Sequence, residues 1–259
     1  MFSYFIADSL INSDSALSGF EDFRTLDFGT AALHIHQKDM QTDSLYNISV
    51  VSHPERVIHD ATYGDMATAN EDWSEINYYP AKNPNPDKAV ILSSIISKLS
   101  FDKTIFFHGS LVSLDGKGVM FVGRSGIGKT TQAKLWNKYL GAKIINGDKV
   151  FVRIKDGKAY GWGSPWKGSS PYCLNEGVQL AGVVSLAQGK ENELTVLDDF
   201  GKAEKIMNHI FLPMWDEKCL AGALETTNEL FSDSAITFLR LSCRPDEEAV
   251  MKVKELLWK

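Results

Sequence analysis

The sequence predicts an α/β protein with a mixed, hairpin-rich sheet, a phosphate-binding loop (P-loop) and flanking helices, preceded by a small β-rich section. Three observations point to this class. A glycine-rich segment, residues 123–130, lies between an apolar run and a helical pattern. Asp-Gly pairs at 115–116 and 156–157 separate short apolar runs, which is typical of β-hairpins with type I′ turns. Two helical patterns and a strand-like run follow near the end of the chain.

Charge and composition restrict the partners of the chain. Its 259 residues are enough to bury a substantial core. The formal net charge of −6, without any run of Lys and Arg, argues against a nucleic-acid partner. No apolar run reaches the roughly 18 residues that span a bilayer, and no basic residue precedes Arg24. We therefore expect a cytoplasmic protein with no membrane partner and with its three scattered cysteines reduced.

Residues 1–82 are predicted to form the small N-terminal β-rich section. Strand-like patterns lie at 4–7, 31–35 and 46–51. His34 and His36 would share one face of a strand, and we interpret them as structural or surface residues because no further ligand cluster is visible. The turn-rich segment 81–86 marks the boundary to a second section, residues 83–259.

The second section begins with a largely buried helix predicted at 89–99. Apolar runs at 105–107 and 111–114 then precede a hairpin at Asp115-Gly116, so the strand at 118–122 should pair antiparallel with its neighbour in sequence. Ordinary P-loop enzymes reach that strand through a helix, in a parallel sheet. A second hairpin should join 150–154 to 159–162, and a third should join 178–187 to 193–197.

The last part of the chain is predicted to form helices at 199–210 and 216–231 and then a strand at 236–241. Pro245 and the acidic residues that follow it open a final helix, as helix N-termini prefer.

The glycine-rich segment carries the chemistry. Its glycines allow backbone N–H groups to point inward at an anion, and the helix that follows adds the positive end of its dipole. Lys129 would place an ammonium on the outer phosphates, and the Thr130 hydroxyl would bind magnesium. We expect ATP and Mg²⁺ as cofactors; the alternative is a turn that merely opens a helix. The nucleotide-binding set is Gly123, Arg124, Ser125, Gly126, Ile127, Gly128, Lys129, Thr130 and Thr131.

The segments around this loop resemble a known family. They are residues 108–112 (HGSLV), 115–118 (DGKG) and 144–150 (IINGDKV), and they are similar to the catalytic domain of HPr kinase/phosphorylase. Short HPr-kinase-related proteins also carry a GSPW segment, found here at 163–166. The resemblance is specific over 104–150 and looser to about 197. It implies a phosphoenolpyruvate carboxykinase-like fold and makes residues 83–259 a P-loop kinase-like catalytic core.

The resemblance also implies roles for single residues. Asp148 matches the second of two adjacent aspartates that follow the loop, a position that supports the magnesium ion; the alternative is a surface turn. His108 matches a histidine near the phosphates; the alternative is a strand-end histidine. With Lys129, these two residues form the expected catalytic set.

Two features depart from the family pattern. Gly147 stands where the family has its first aspartate, the proposed base, and the Glu-x-Arg-Gly signature is absent. Asp148 or His108 could take the role of base. In the turn-rich segment that follows 163, Lys167 and further on Asn175 are candidates to hold the acceptor; the alternative is a solvated connecting loop.

Three functions remain open. The first is an ATP- and Mg-dependent kinase that phosphorylates a hydroxyl on a small molecule or on a peptide or protein serine. The second is a nucleotide-binding regulatory module without turnover, which Gly147 favours. The third is a carboxykinase-type enzyme, which the short chain and the lack of an evident arginine set disfavour. Neither the acceptor nor the oligomeric state follows from the sequence.

Overall fold

A computed structural model describes residues 1–27, 29–38, 56–60, 64–79 and 84–259. In these ranges the chain forms two β-sheets and five α-helices, so the mixed α/β class is confirmed.

The first sheet is built from the N-terminal part of the chain. Its strands are β1 (Phe2–Ile6), β2 (Ser9–Ser13), β3 (Arg24–Thr25), β4 (Leu33–Gln37), β5 (Arg56–Asp60), β6 (Gly64–Ala69) and β7 (Glu75–Tyr78). They lie in the order β3-β1-β2-β4-β7-β6-β5. The pairs β2/β4 and β4/β7 are parallel and the others are antiparallel. The strands predicted at 4–7 and 31–35 correspond to β1 and β4, whereas 46–51 lies outside the described residues.

His34 and His36 share one face of β4, with parallel rings 6.3 Å apart. His36 contacts the carboxylates of Asp14 and Glu75 at 3.2 and 2.8 Å. These contacts link β4 to β7 and to the residue that follows β2, in line with the structural or surface interpretation.

Helix α1 (Pro84–Ser100) links the two sheets. The prediction of a turn-rich connector was wrong at 84–86, because these residues form the beginning of α1. Proline is tolerated at that point, where its missing N–H would have no helical partner. Residues 81–83 lie outside the described ranges, and the boundary between 82 and 83 stays a prediction.

The second sheet surrounds the glycine-rich segment. Its strands are β8 (Thr104–Leu114), β9 (Lys117–Val122), β10 (Lys143–Asn146), β11 (Lys149–Lys155), β12 (Lys158–Gly163), β13 (Gly177–Gln188), β14 (Glu193–Val196), β15 (Ile210–Phe211) and β16 (Thr237–Cys243). The other helices are α2 (Lys129–Leu140), α3 (Asp199–Lys205), α4 (Glu217–Ser232) and α5 (Glu247–Leu257). The helix predicted at 199–210 is shorter than expected, because a 3₁₀ turn at Met207–His209 and then β15 replace its second half.

Two of the three predicted hairpins are confirmed. β8 pairs antiparallel with β9, and β11 pairs antiparallel with β12. Both turns have positive φ at their two central residues, with 51° at Asp115 and 76° at Gly116. The strand that enters the glycine-rich segment is therefore paired with its sequence neighbour on one side and, in parallel, with β13 on the other.

The prediction of a third hairpin, between β13 and β14, was wrong. β16 lies between β13 and β14, parallel to the first and antiparallel to the second. The reason is burial: β16 has buried side chains on both faces, Phe238 on one and Leu239 and Leu241 on the other. β14 is largely exposed and therefore takes the edge.

Helices cover both faces of the second sheet. Along β9, Val119 and Phe121 pack in a core that includes Trp136 of α2 and Val250 of α5. The side chain of Met120 lies on the other face of β9 and packs there in a second core, which includes residues of α4. The structure thus places the N-terminus of α2 at the end of β9, with a helical layer behind it.

Within the described ranges, no helix is long and apolar enough to cross a membrane. The three cysteines are free thiols.

Candidate functional site

The segment between β9 and α2 is a tight glycine loop. Gly123, Gly126 and Gly128 all have positive φ, at 149°, 76° and 115°. At Gly123 a Cβ atom would also lie 2.9 Å from Cγ2 of Ile127, so only glycine fits without rearrangement. Arg124 and Ser125 are exposed at the loop tip.

Lys129 is buried at the base of this loop, with 6% of its surface exposed. Its ammonium donates hydrogen bonds to the carbonyl oxygens of Gly123 at 2.9 Å and Arg124 at 3.3 Å. Burial lowers the pKa of Lys129 below its usual value, and the nearby carboxylate of Asp148 opposes that shift. Among the described residues its hydrogen-bond partners are these two carbonyl oxygens, and a buried cation with such partners favours an anion as a further partner.

The N-terminus of α2 has no side-chain cap. In contrast, α3, α4 and α5 each begin at an aspartate whose carboxylate accepts backbone N–H groups of the first turn. Among the residues that the structure describes, no side chain accepts from the first-turn N–H groups of α2, which lie beside Lys129. Such a helix end favours negative charge.

His108 and Asp148 meet beside the loop. The pairing of β8 with β11 places Lys149 opposite His108, so the preceding residue lies at the same end of the sheet. His108 Nε2 lies 3.2 Å from Asp148 Oδ1. Burial, followed by the charge of Lys129, lowers the pKa of His108, while Asp148 opposes the shift. Because a carboxylate only accepts, Nε2 is the nitrogen that donates in this contact, and in a neutral imidazole the free lone pair is then on Nδ1.

Asn146 holds the turn that carries Asp148. It is fully buried, and its Oδ1 accepts the backbone N–H groups of Asp148 and Lys149 at 2.9 and 3.0 Å. Its Nδ2 donates to the carbonyl oxygen of Ser164 at 2.8 Å. The amide of Asn146 thus ties this turn to the segment 163–171. Sequence reasoning missed this role, although a turn-prone Asn-Gly-Asp run was a signal for it.

Thr130 reaches the same turn from α2. Its hydroxyl donates to the carbonyl oxygen of Gly147 at 2.8 Å. The hydroxyl of Ser110 donates in turn to the carbonyl oxygen of Lys129 at 2.9 Å. These two bonds fix the first turn of α2 against β8 and against the turn at Asp148.

The segment 163–171 closes over the turn at two points. A Cβ atom on Gly147 would lie 2.0 Å from Ser170 Oγ, so the serine hydroxyl fills the place of the missing side chain. A Cβ atom on Gly168, which has φ +58°, would lie 2.7 Å from Asp148 Oδ2. Close contact with glycine therefore positions the carboxylate of Asp148.

Trp166 anchors this segment to both parts of the chain. Its ring packs edge-on against Phe20 of the N-terminal section at 5.2 Å and against Phe106 of β8 at 5.8 Å. The N-terminal section thereby supports one wall of the candidate site.

Lys167 and Asn175, the residues expected to hold the phosphoryl acceptor, differ in their exposure. Lys167 is exposed and adjoins Gly168, and its carbonyl oxygen accepts the backbone N–H of Ser170 at 3.0 Å. Asn175 is half-buried, and its Oδ1 has no hydrogen-bond partner among the described residues. No described hydrogen bond links Asn175 to Lys129, Thr130 or Asp148.

A second histidine, His209, lies at the site and was missed by sequence reasoning. β15 pairs antiparallel with β8, with Ile210 opposite Phe107, so His209 comes beside His108. Burial, then Lys129, then His108 lower the pKa of His209. No local pattern marks this residue, because it reaches the site only through the pairing of a two-residue strand.

A cavity of about 190 Å³ borders the outer side of the loop. Gly126, Gly128 and Thr131 line it on the loop side, and Gln188 and Cys243 line it on the side of the sheet. The loop thus has open space along its outer edge.

Comparisons with known proteins agree with the resemblance seen in the sequence. Curated proteins from Lactobacillus johnsonii and Lactobacillus gasseri, each named HPr kinase/phosphorylase, are 30% identical over 151 residues. That match covers 55% of this chain and 42% of each relative, so the chain spans less than half the length of the curated relatives it matches. The chain is HPr-kinase-like over the matched segment.

No family model matches the chain. A solved structure of the Hpr(Ser) kinase/phosphatase from Coxiella burnetii aligns with 59% of this chain and 88% of its own, at 9% identity and a TM-score of 0.34.

Proposed function

We propose that this chain is an ATP- and Mg-dependent kinase that transfers a phosphoryl group to a hydroxyl of a small molecule or of a peptide or protein serine. The observation that carries the proposal is the buried ammonium of Lys129 beside the uncapped N-terminus of α2, within hydrogen-bond reach of its own loop. The sequence match to HPr kinase/phosphorylases supports the reaction class. In this proposal residues 123–131 form a P-loop in a phosphoenolpyruvate carboxykinase-like core.

Lys129 would bind the outer phosphates. Its present partners are carbonyl oxygens of the loop, which an ammonium exchanges readily for charged phosphate oxygens. The backbone N–H groups at the start of α2 would bind the same group. Placing positive charge where negative charge develops is the main requirement for phosphoryl transfer.

Thr130 and Asp148 would hold the magnesium ion. They offer a hydroxyl and a carboxylate close to the carbonyl oxygen of Gly147, and oxygen ligands are what magnesium prefers. Within the described ranges, no group of three or more His, Cys, Asp or Glu side chains is arranged to hold a metal ion. In this proposal the magnesium ion would take its other ligands from phosphates and water. When bound, the ion would neutralise charge on the phosphates.

His108 would receive the proton of the acceptor hydroxyl. Its Nε2–H is directed to Asp148, so its Nδ1 is the nitrogen with a free lone pair. The lowered pKa keeps the imidazole neutral near pH 7, as a proton acceptor must be. Asp148 would orient the ring.

One observation favours a second candidate, a nucleotide-binding module without turnover. Gly147 offers no carboxylate, and the hydroxyl of Ser170 fills the space instead. Such a site could bind nucleotide without activating an acceptor.

An ATP-consumption assay with magnesium across sugars, polyols, hydroxy amino acids and serine peptides tests the proposal. We expect acceptor-dependent formation of ADP that Lys129→Ala abolishes. Nucleotide binding in calorimetry without ADP formation for any acceptor would support the module instead. Absence of nucleotide binding would reject both.

A further inference from the structure

We propose that the hydroxyl of Ser170 donates a hydrogen bond to the terminal phosphate of the bound nucleotide. This inference rests on the proposed function, since it assigns one more residue to the same site. It gives a role to a residue that neither the sequence motif nor the comparisons single out.

The first argument is position. The place of a side chain on residue 147 lies 2.0 Å from Ser170 Oγ, 2.6 Å from Ser170 Cβ and 3.6 Å from Thr130 Cγ2. Ser170 Oγ and the side chain of Thr130 therefore flank the same point, at the end of β10. A phosphate on Lys129, with its magnesium ion on Thr130, would therefore lie on the side of this hydroxyl.

The second argument is hydrogen-bonding capacity. Ser170 Oγ accepts the backbone N–H of Tyr172 at 3.2 Å, which occupies one lone pair. No described hydrogen bond uses the proton of this hydroxyl. The backbone N–H of Ser170 donates to the carbonyl oxygen of Lys167 at 3.0 Å, so the residue is held in place. A fixed hydroxyl with an unused proton is a ready donor to an anion.

The groups near this point include the ammoniums of Lys129 and Lys149, the histidines His108 and His209, and the carboxylate of Asp148. A carboxylate on residue 147 would add a second negative charge beside Asp148. A neutral hydroxyl in that place adds a donor without adding negative charge.

Calorimetry with magnesium and either ADP or a non-hydrolysable ATP analogue tests the proposal. We expect Ser170→Ala to weaken binding of the analogue about tenfold while binding of ADP, which lacks the terminal phosphate, is unchanged. Ser169→Ala, at the exposed neighbouring serine, should leave both affinities unchanged. Equal losses for both nucleotides, or no loss for either, would overturn the proposal.

A steric variant separates a hydrogen-bonding role from packing. Gly147→Ala places a Cβ atom on Ser170 and should both lower the melting temperature and weaken binding of the analogue. Adding Ser170→Gly removes the clash, so the double variant should regain thermal stability but not affinity for the analogue. Recovery of that affinity in the double variant would show that Ser170 only fills space.

Nucleotide binding by the wild-type protein separates a failure of the proposed function from a failure of the role of Ser170. If it binds neither nucleotide, the proposed function fails and this proposal fails with it. If it binds both and the Ser170 variants match it, only the assignment of Ser170 fails.

Discussion

His108 Nε2 and Asp148 Oδ1 lie 3.2 Å apart although 40 residues separate them in sequence. The contact forms because β8 and β11 pair antiparallel, with His108 opposite Lys149. Since a carboxylate can only accept, the contact sets which imidazole nitrogen carries the proton.

The first prediction concerns pH. The pKa values of His108 and His209 lie below the usual value of 6.5, chiefly because both rings are partly buried. As the pH falls below about 6.5, the unfolded chain binds protons at these residues before the folded chain does, so the free energy of unfolding falls. Urea unfolding between pH 7.5 and 5.5 should show this loss. It should be smaller in the double variant His108→Gln/His209→Gln; an unchanged slope would contradict the assignment.

The second prediction concerns Lys129. Lys129→Ala removes the ammonium that contacts Gly123 and should weaken Mg-ATP binding by at least about tenfold, because a charge-assisted contact to phosphate is lost. Lys134→Ala is the matched control, since it removes an exposed lysine from the same helix. Calorimetry that finds the same affinity in both variants would reject the loop as the nucleotide site.

The third prediction concerns Asp148. Asp148→Asn should lower turnover about a hundredfold and raise the magnesium concentration needed for half activity, because a charged oxygen ligand is lost. The fold should persist, since the backbone carbonyl of Asp148 still accepts Gly109 N–H at 2.9 Å. Glu176→Gln, at an exposed carboxylate paired with Lys143, is the control. A magnesium dependence like that of the wild type would place the metal elsewhere.

The fourth prediction compares two glycines with similar backbones. Gly157 and Gly168 have φ +69° and +58°, so alanine at either should cost about 1 kcal/mol of stability. A Cβ atom on Gly157 contacts nothing within 4 Å, whereas one on Gly168 presses on the carboxylate of Asp148. Gly168→Ala alone should therefore lower turnover, by about tenfold or more. Thermal melting and kinetics of both variants test this, and equal turnover would exclude a positioning role for Gly168.

Much of the second sheet could be predicted because its signals are local. Asp-Gly turns need positive φ at two adjacent residues, and Asp115-Gly116 and Asp156-Gly157 provide it whatever surrounds them. α2 likewise ends at Gly141, with φ +69°, and glycine in the left-handed region is a common local signal for a helix C-terminus. The glycine spacing of residues 123–128 belongs to the same class of local signal.

Strand order could not be predicted in the same way. The short connection between β13 and β14 suggested a hairpin, yet β16 separates them. Which strand takes the inner position depends on how much apolar surface each buries against helices distant in sequence.

By itself, the sequence determined the loop, its helix, two hairpins and the candidate residues Lys129, Thr130 and Asp148. Only the tertiary structure brought His209 to His108, put Ser170 in the space above Gly147 and pressed Gly168 on Asp148. The physical reason is the distance along the sequence over which each kind of interaction acts. Turn and cap preferences act over a few residues, whereas these contacts depend on sheet pairing and packing between segments that are distant in sequence.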